Sequence, residues 1–226
     1  MNYILEFLYR IGIRDIFGLI SFVGFGWFLI RRFVLHKAPV SVGAKAVPRE
    51  LFQKCVEILD KREKKEFGEY VIPDEIAGAL SANIKDEEYL KKLLCDICAH
   101  LGINGDFIKL ITEEVPVPER AGQINTDLAR TTIYLEVKSY YSLDVVAAVL
   151  AHEAIHLHLY YEGIHLKDTW ENEILTDTAA VYCGFGEYIY RGYAVMRGEF
   201  ALSYQKVGYI KQEDVRYIQW LMSNGE

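Results

Sequence analysis

Two histidines and one glutamate lie at metal-ligand spacing within an apolar stretch of the chain. They are His152, Glu153 and His156, and the stretch is residues 147–157 (AAVLAHEAIHL). In an α-helix, residues four apart project from nearly the same side, so both imidazoles can bind one ion. A buried helix face that carried these side chains without partners would cost desolvation free energy, which favours a functional site.

This His-Glu-x-x-His pattern is typical of zinc hydrolases, in which the glutamate is the general base. A catalytic zinc ion needs a third protein ligand and a position open to water. The histidine and acidic side chains that follow the motif are the candidates for that ligand: His158, His165, Asp168, Glu171, Glu173 and Asp177.

Helix geometry and capping separate these candidates. His158 faces another side of the helix, whereas Asp168 and Glu171 fit a capping box at the start of the next helix. Glu173 and Asp177 lie four residues apart on one face of that next helix. One of them could bind the metal while the other accepts a hydrogen bond from a ligating imidazole.

Two helices must position these side chains, and the sequence marks their ends. Ser142 is the predicted N-cap of the first helix, which runs to about Tyr161 and stops before Gly163. This helix is apolar nearly all round, so it is predicted to be buried. The second helix has Asp168 as its predicted N-cap and ends at the glycines of 184–186.

Shorter elements are predicted around these two helices. Further helices are predicted by apolar periodicity, at 48–66, 86–101, 188–195 and 213–222. Strands are predicted by β-branched and aromatic segments, at 107–115, 122–124 and 131–137.

The two-helix pattern resembles the gluzincin clan of zinc metallopeptidases, the thermolysin-like group. The resemblance lies in the HExxH motif at 152–156 and the NExxxD motif at 172–177, with Glu173 seventeen residues after His156. It covers roughly residues 131–186 and implies a minimal zincin-like α+β domain. In such a domain a short mixed sheet lies beside the active-site helix and a second ligand helix.

The resemblance also implies a role for each residue of the two motifs. It implies that zinc is bound by His152, His156 and Glu173, with Asp177 orienting His152. It further implies that Glu153 deprotonates a zinc-bound water, which then hydrolyses a peptide bond. The expected substrate is a peptide or protein, and segment 131–137 is predicted to be the edge strand to which an extended peptide adds.

Gluzincins also supply an oxyanion-stabilising Tyr, His or Arg from a C-terminal segment. The candidates for this role are Tyr204 and Tyr209, with Tyr193 and Arg197 as further ones.

Residues 16–30 run for fifteen positions without a charge. As a helix this segment is roughly 22 Å long, short of a hydrocarbon core of ~30 Å, although flanking charged side chains could snorkel. It fits a single membrane span, a helix in the membrane interface or a buried core helix. A cleaved signal peptide is disfavoured because Arg31 and Arg32 follow directly and no strong basic region precedes it.

These observations predict a membrane-anchored protein with three parts. Residues 1–35 are the hydrophobic segment, 36–47 a Gly- and Pro-containing linker, and 48–226 the zinc metallopeptidase domain. Basic residues are more numerous after the apolar run than before it, so the domain is predicted to be cytoplasmic. The alternative is a soluble enzyme whose N-terminal helix belongs to the core.

Composition excludes some classes of partner and site. The net charge of −7, with no offsetting basic surface, argues against a nucleic-acid partner. Four cysteines in a chain of this length do not form a disulfide scaffold. Cys95 and Cys98 form a CxxC that could be a redox or metal pair. The favoured interpretation is that both are small apolar residues on a buried helix face. His100 is predicted to be a capping or surface residue.

One functional alternative belongs to a different class. The chain could be a zinc-containing module that binds a partner and cleaves nothing. The complete motif argues against this alternative, because a binding module has no need of Glu153.

Overall fold

The computed structural model describes residues 46–63, 66–112, 121–127, 130–193, 196–197, 204–205 and 208–224. Residues 46–226 form one compact unit. The predicted membrane segment at 16–30 lies outside the described residues. Its interpretation as an anchor therefore stays a prediction.

The described part of the chain is a mostly helical α+β structure with a small mixed sheet. Its helices are α1 (Arg49–Arg62), α2 (Asp74–Ala82), α3 (Glu87–His100), α4 (Leu143–Tyr161), α5 (Thr169–Ala180), α6 (Gly186–Gly192) and α7 (Gln212–Asn224). Its strands are β1 (Lys109–Ile111), β2 (Gly122–Asp127), β3 (Arg130–Leu135), β4 (Met196–Arg197) and β5 (Tyr204–Gln205). A 3₁₀ turn spans Gly105–Phe107, and a π-helical turn spans Val181–Phe185.

Helix α4, which carries the HExxH motif, is the buried helix at the centre of the fold. The Ser142 side chain accepts a hydrogen bond from the backbone N–H of Val145, as its predicted N-cap role requires. By length and composition alone α4 could cross a membrane, but 78% of its most apolar 18-residue window is buried inside the fold. This degree of burial is typical of a core helix, and it agrees with the apolar pattern around the whole helix.

Helix α5 begins where the capping residues predict. The Asp168 side chain accepts from the backbone N–H of Glu171 at 2.9 Å, which confirms the N-cap. The second half of the predicted capping box is wrong, because the Glu171 carboxylate instead contacts Lys54 at 3.1 Å. After Ala180 the chain passes through the π-helical turn, in which Gly184 has a φ of 92°.

The sheet differs from the predicted arrangement in one functional respect. The strand order is β1-β3-β2, with β3 parallel to β1 and antiparallel to β2. The prediction that 131–137 forms an edge strand is therefore wrong, because β3 is paired on both sides. Among the strands described, β2 lies at an edge of this sheet.

Helices α1, α2 and α3 complete the core, and α2 was not predicted. Pro73 precedes the two acidic residues of its first turn, and this pattern marks the start of α2 in the sequence.

All four cysteines are free. Cys98 is fully buried, and this burial raises the pKa of its thiol to about 12. This agrees with the core interpretation of Cys98.

His100 does not have the role that its position in α3 suggests. It is half-buried, and its Nε2 lies 2.8 Å from the carbonyl oxygen of Cys183. The prediction of a capping or surface residue is therefore wrong. The side chain connects the end of α3 to the π-helical turn.

Candidate metal centre

Helices α4 and α5 bring three ligand atoms to one place. The Nε2 atoms of His152 and His156 are 3.0 Å apart. The Oε2 atom of Glu173 lies 3.3 Å from the first nitrogen and 3.2 Å from the second. These three residues, one ligand atom from each, could hold a metal ion.

The spacing of the three atoms fits a tetrahedral ion of the size of zinc. With metal–ligand bonds of about 2.0–2.1 Å, tetrahedral geometry separates neighbouring ligand atoms by about 3.3 Å. Glu173 Oε2 is also buried and has no hydrogen-bond partner among the described residues. Because buried acceptors are normally satisfied, this orphaned oxygen points to a cation as its missing partner.

The charge state of Glu173 suits metal binding. Burial raises the pKa of its carboxyl group, but the close contacts with His152 and His156 and their positive potential outweigh that effect. The net pKa lies well below the ordinary value for glutamate. The carboxylate is therefore ionised and can act as a ligand.

The second nitrogen of His152 is held by a buried carboxylate. Its Nδ1 lies 2.7 Å from Oδ1 of Asp177, whose side chain is inaccessible to solvent. Burial lowers the pKa of His152, but the Asp177 carboxylate, with help from Glu173 and Glu153, raises it well above the ordinary value in the metal-free protein. The Asp177 contact on Nδ1 leaves Nε2 as the atom that faces the other two ligand atoms, and a bound metal ion would take the place of the Nε2 proton.

Asp177 has three further donors that the sequence did not reveal. The Tyr193 hydroxyl donates to Oδ1 at 2.6 Å. The backbone N–H groups of Tyr209 and Ile210 donate to Oδ2 at 2.8 and 3.2 Å. These contacts join α5 to the chain before α7, and backbone donors of this kind leave no residue-type signature in a sequence.

The orientation of His156 is set by a threonine. The Thr176 hydroxyl donates to the carbonyl oxygen of Asn172 at 2.9 Å, and its oxygen lies 3.3 Å from Nδ1 of His156. That oxygen can accept the Nδ1–H, which leaves the Nε2 lone pair of His156 facing the cluster. Thr176 was not predicted, although its place four residues after Asn172 and next to Asp177 was a usable signal.

Glu153 lies against the backbone of the edge strand β2. Only 6% of Glu153 is exposed. A Cβ atom added to Gly122 would lie 2.8 Å from Oε1 of Glu153 and 2.6 Å from Cγ1 of Val149. The absence of a side chain at Gly122 therefore allows β2 to approach the carboxylate closely.

The oxyanion candidates have different positions. Tyr209 is half-buried, and its ring stacks on the ring of His152 with centroids 5.9 Å apart. Tyr193 contacts Asp177 on the Nδ1 side of His152, away from the ligand atoms, which fits a structural role rather than that of an oxyanion residue. Tyr204 and Arg197 belong to β5 and β4, and their side chains lie outside the described part of the structure.

His158 faces away from the metal cluster, as predicted. Its Nε2 lies 2.6 Å from Oε2 of Glu63, and both side chains are buried. The edge of the His158 ring meets the Phe67 ring at 5.8 Å between centroids. The His158–Glu63 pair joins the end of α1 to α4.

The structure thus brings together His152, His156 and Glu173, with Glu153 beside them on the same helix as the two histidines. Comparison of the chain with models of protein families, with curated protein sequences and with solved structures finds no match. The functional interpretation therefore depends on the geometry and chemistry of these residues.

Proposed function

We propose that this chain is a zinc-dependent endopeptidase with a gluzincin-type active site. The observation that carries the proposal is the convergence of three ligand atoms at separations of 3.0, 3.2 and 3.3 Å. These atoms come from the HExxH helix and from the glutamate of the NExxxD helix. The pattern in the sequence and the geometry of the fold therefore support the same set of zinc ligands.

A zinc ion held by these ligands would lower the pKa of a bound water and polarise a peptide carbonyl. The protein itself contributes the proton transfer. Glu153 directly follows His152 and lies three residues before His156 on α4, so we assign its carboxylate to accept the proton of the attacking water and deliver it to the leaving amine. Asp177 and Thr176 hold the two imidazoles in the tautomer that binds metal.

The proposed substrate is an extended peptide segment of a protein. The β2 strand lies at an edge of the described sheet, and its Gly122 lies against Glu153. A peptide that adds to this edge by main-chain hydrogen bonds would run past the base and the ligand atoms. This role for β2 replaces the one expected of segment 131–137.

We further propose that residues 16–30 anchor the chain in a membrane as a single span, with the domain on the cytoplasmic side. The support is the uncharged run and the excess of basic residues after it. Alkaline extraction of membranes from expressing cells tests the anchor. A chain released by that extraction would contradict the anchor. A domain that is digested by protease added to right-side-out spheroplasts would contradict the cytoplasmic side.

The experiment that tests the catalytic proposal is Glu153→Gln in the full-length chain purified in detergent. The substitution removes the base and keeps a similar volume, so zinc remains bound while peptide cleavage falls by about 10²–10⁴-fold. Metal content is measured by mass spectrometry, and cleavage is followed on denatured proteins and on a peptide library.

The matched control is Glu162→Gln, which changes an exposed glutamate at the end of the same helix. This control should keep both zinc and activity. A Glu153→Gln protein as active as the wild type would sink the proposed mechanism. A wild-type chain that binds stoichiometric zinc and cleaves none of the substrates would favour the non-catalytic binding module.

A further inference from the structure

The Asp177 carboxylate is the meeting point of four donors from separate parts of the chain. The donors are the side chains of His152 and Tyr193 and the backbone N–H groups of Tyr209 and Ile210. The side chain of Asp177 is inaccessible to solvent. A buried carboxylate is held firmly only when its oxygens are satisfied, so these donors fix its position behind His152.

Tyr193 is itself fixed by the turn that precedes α7. Gly208 has a φ of +82°, and a Cβ atom there would lie 1.9 Å from Cε2 of the Tyr193 ring. The backbone of the turn therefore rests on the ring, and Tyr193 is only 5% exposed.

We infer that Tyr193 and the turn at 208–210 are a positioning device for the metal ligand His152. They act through Asp177, which they hold in the orientation that receives Nδ1–H of His152. The affinity for zinc then depends on a segment more than thirty residues beyond Asp177 in the sequence. This inference rests on the proposed metal site, and it adds the residues that set its affinity.

The size of the expected effect follows from the position of Tyr193 behind the ligand. Without its hydroxyl donor, Asp177 loses one of two contacts on Oδ1, and apart from His152 itself only the two backbone donors on Oδ2 still hold it in place. Loss of such outer contacts typically weakens metal binding by about 10–100-fold. Tyr193→Phe removes only the hydroxyl, so it tests this contact with little change in packing.

Tyr70→Phe is the matched control for this substitution. The Tyr70 hydroxyl donates to Oδ2 of Asp96 at 2.7 Å, and Tyr70 is 5% exposed. The two tyrosines therefore make the same kind of contact with similar burial, but Tyr70 contacts no residue of the metal cluster in the contacts described. A loss of general stability should affect both variants, whereas a loss of metal affinity should affect only Tyr193→Phe.

The experiment measures the zinc dissociation constant of the full-length chain by competition with a chromophoric chelator. Tyr193→Phe should raise this constant by about 10–100-fold, and Tyr70→Phe should leave it unchanged. In an Asp177→Asn background, Tyr193→Phe should have little further effect, because the two residues act in series. Equal zinc affinity of wild type and Tyr193→Phe would overturn the inference, as would equal losses in the two tyrosine variants.

A second measurement uses the unchanged protein. Zinc loading should slow the hydrogen exchange of the Tyr209 and Ile210 amides by at least about tenfold, because binding is linked to the state in which they contact Asp177. The amide of Tyr70, which donates to the Gly184 carbonyl oxygen, is the internal reference. Exchange at 209 and 210 that does not respond to zinc would contradict the inference. A wild-type chain that binds no zinc would instead overturn the proposed function itself.

Discussion

Two histidine–carboxylate contacts on the same helix differ in kind. On one side of α4, His158 and Glu63 form a closed pair with 2.6 Å between Nε2 and Oε2. On another side, His152 and His156 share one oxygen of Glu173 at 3.3 and 3.2 Å. The residue types are the same, but only the second group leaves a buried oxygen without a hydrogen-bond partner.

This difference separates a structural pair from a candidate metal site. In the His158–Glu63 pair a hydrogen bond between Nε2 and Oε2 joins the two side chains, and no third ligand atom among the described residues converges on them. In the other group three ligand atoms face a common point, and one cation there would satisfy all three. Geometry around the acceptor, rather than the mere presence of histidine and glutamate, therefore distinguishes the two.

The largest expected effect comes from removing the shared carboxylate. Glu173→Ala should weaken zinc binding by more than about 100-fold, because a ligand contributes more than the outer contacts whose loss costs 10–100-fold. Glu63→Ala should leave zinc affinity unchanged. Metal content after dialysis against a weak chelator measures both, and equal zinc retention by the two variants would contradict the distinction between the structural pair and the metal site.

Metal removal should have the next largest effect. At free zinc about 1,000 times its dissociation constant, binding adds about 4 kcal/mol to the free energy of unfolding. A strong chelator should therefore lower the melting temperature of the wild type and of Glu63→Ala. Glu173→Ala should show no chelator-dependent shift. The measurement is thermal unfolding followed by circular dichroism, with and without chelator.

Glu63→Ala should have a smaller effect, confined to stability. It leaves His158 buried without its partner, which costs about 1–3 kcal/mol in the free energy of unfolding. Urea unfolding of the metal-free protein measures this cost. A variant as stable as the wild type would show that the pair does not tie α1 to α4.

The smallest expected effect separates the base from the ligands. Gly122→Ala places a methyl group 2.6 Å from Cγ1 of Val149 and 2.8 Å from Oε1 of Glu153, so these two side chains must shift, whereas no zinc ligand is among the nearest atoms. Cleavage should fall by roughly tenfold, since misplaced catalytic groups lose rate steeply, with zinc affinity unchanged. Gly78→Ala is the control, because a Cβ there meets nothing within 4 Å. It should keep full activity and raise helix stability by up to about 1 kcal/mol.

The parts of the fold that local residue types determine were predicted well. The N-caps Ser142 and Asp168 are confirmed, as is the burial of the helix that follows Ser142. The pattern also indicated the three ligand candidates that the fold brings together. These features depend on spacing within one helix or on caps a few residues away, which a sequence shows directly.

Features that depend on contacts between distant segments were not predictable. The central position of β3 follows from its pairing with two other strands, and the sequence of a single strand does not predict the order of strands in a sheet. The donors to Asp177 include two backbone N–H groups more than thirty residues away, which any residue type could provide. The contact of the Tyr193 hydroxyl with Asp177 depends on the fold in the same way.

The burial of α4 has a consequence for the synthesis of the chain. By length and composition the helix could cross a membrane, and 78% of its most apolar 18-residue window is buried inside the folded domain. His152, Glu153 and His156 lie at its middle, where an acidic residue such as aspartate opposes membrane insertion by about 2.5–3.5 kcal/mol. The side chains proposed to bind zinc and activate water would thus also oppose insertion of the unfolded segment into a bilayer. A triple alanine variant, often chosen as an inactive control, would remove this barrier, so Glu153→Gln is the sounder inactive form.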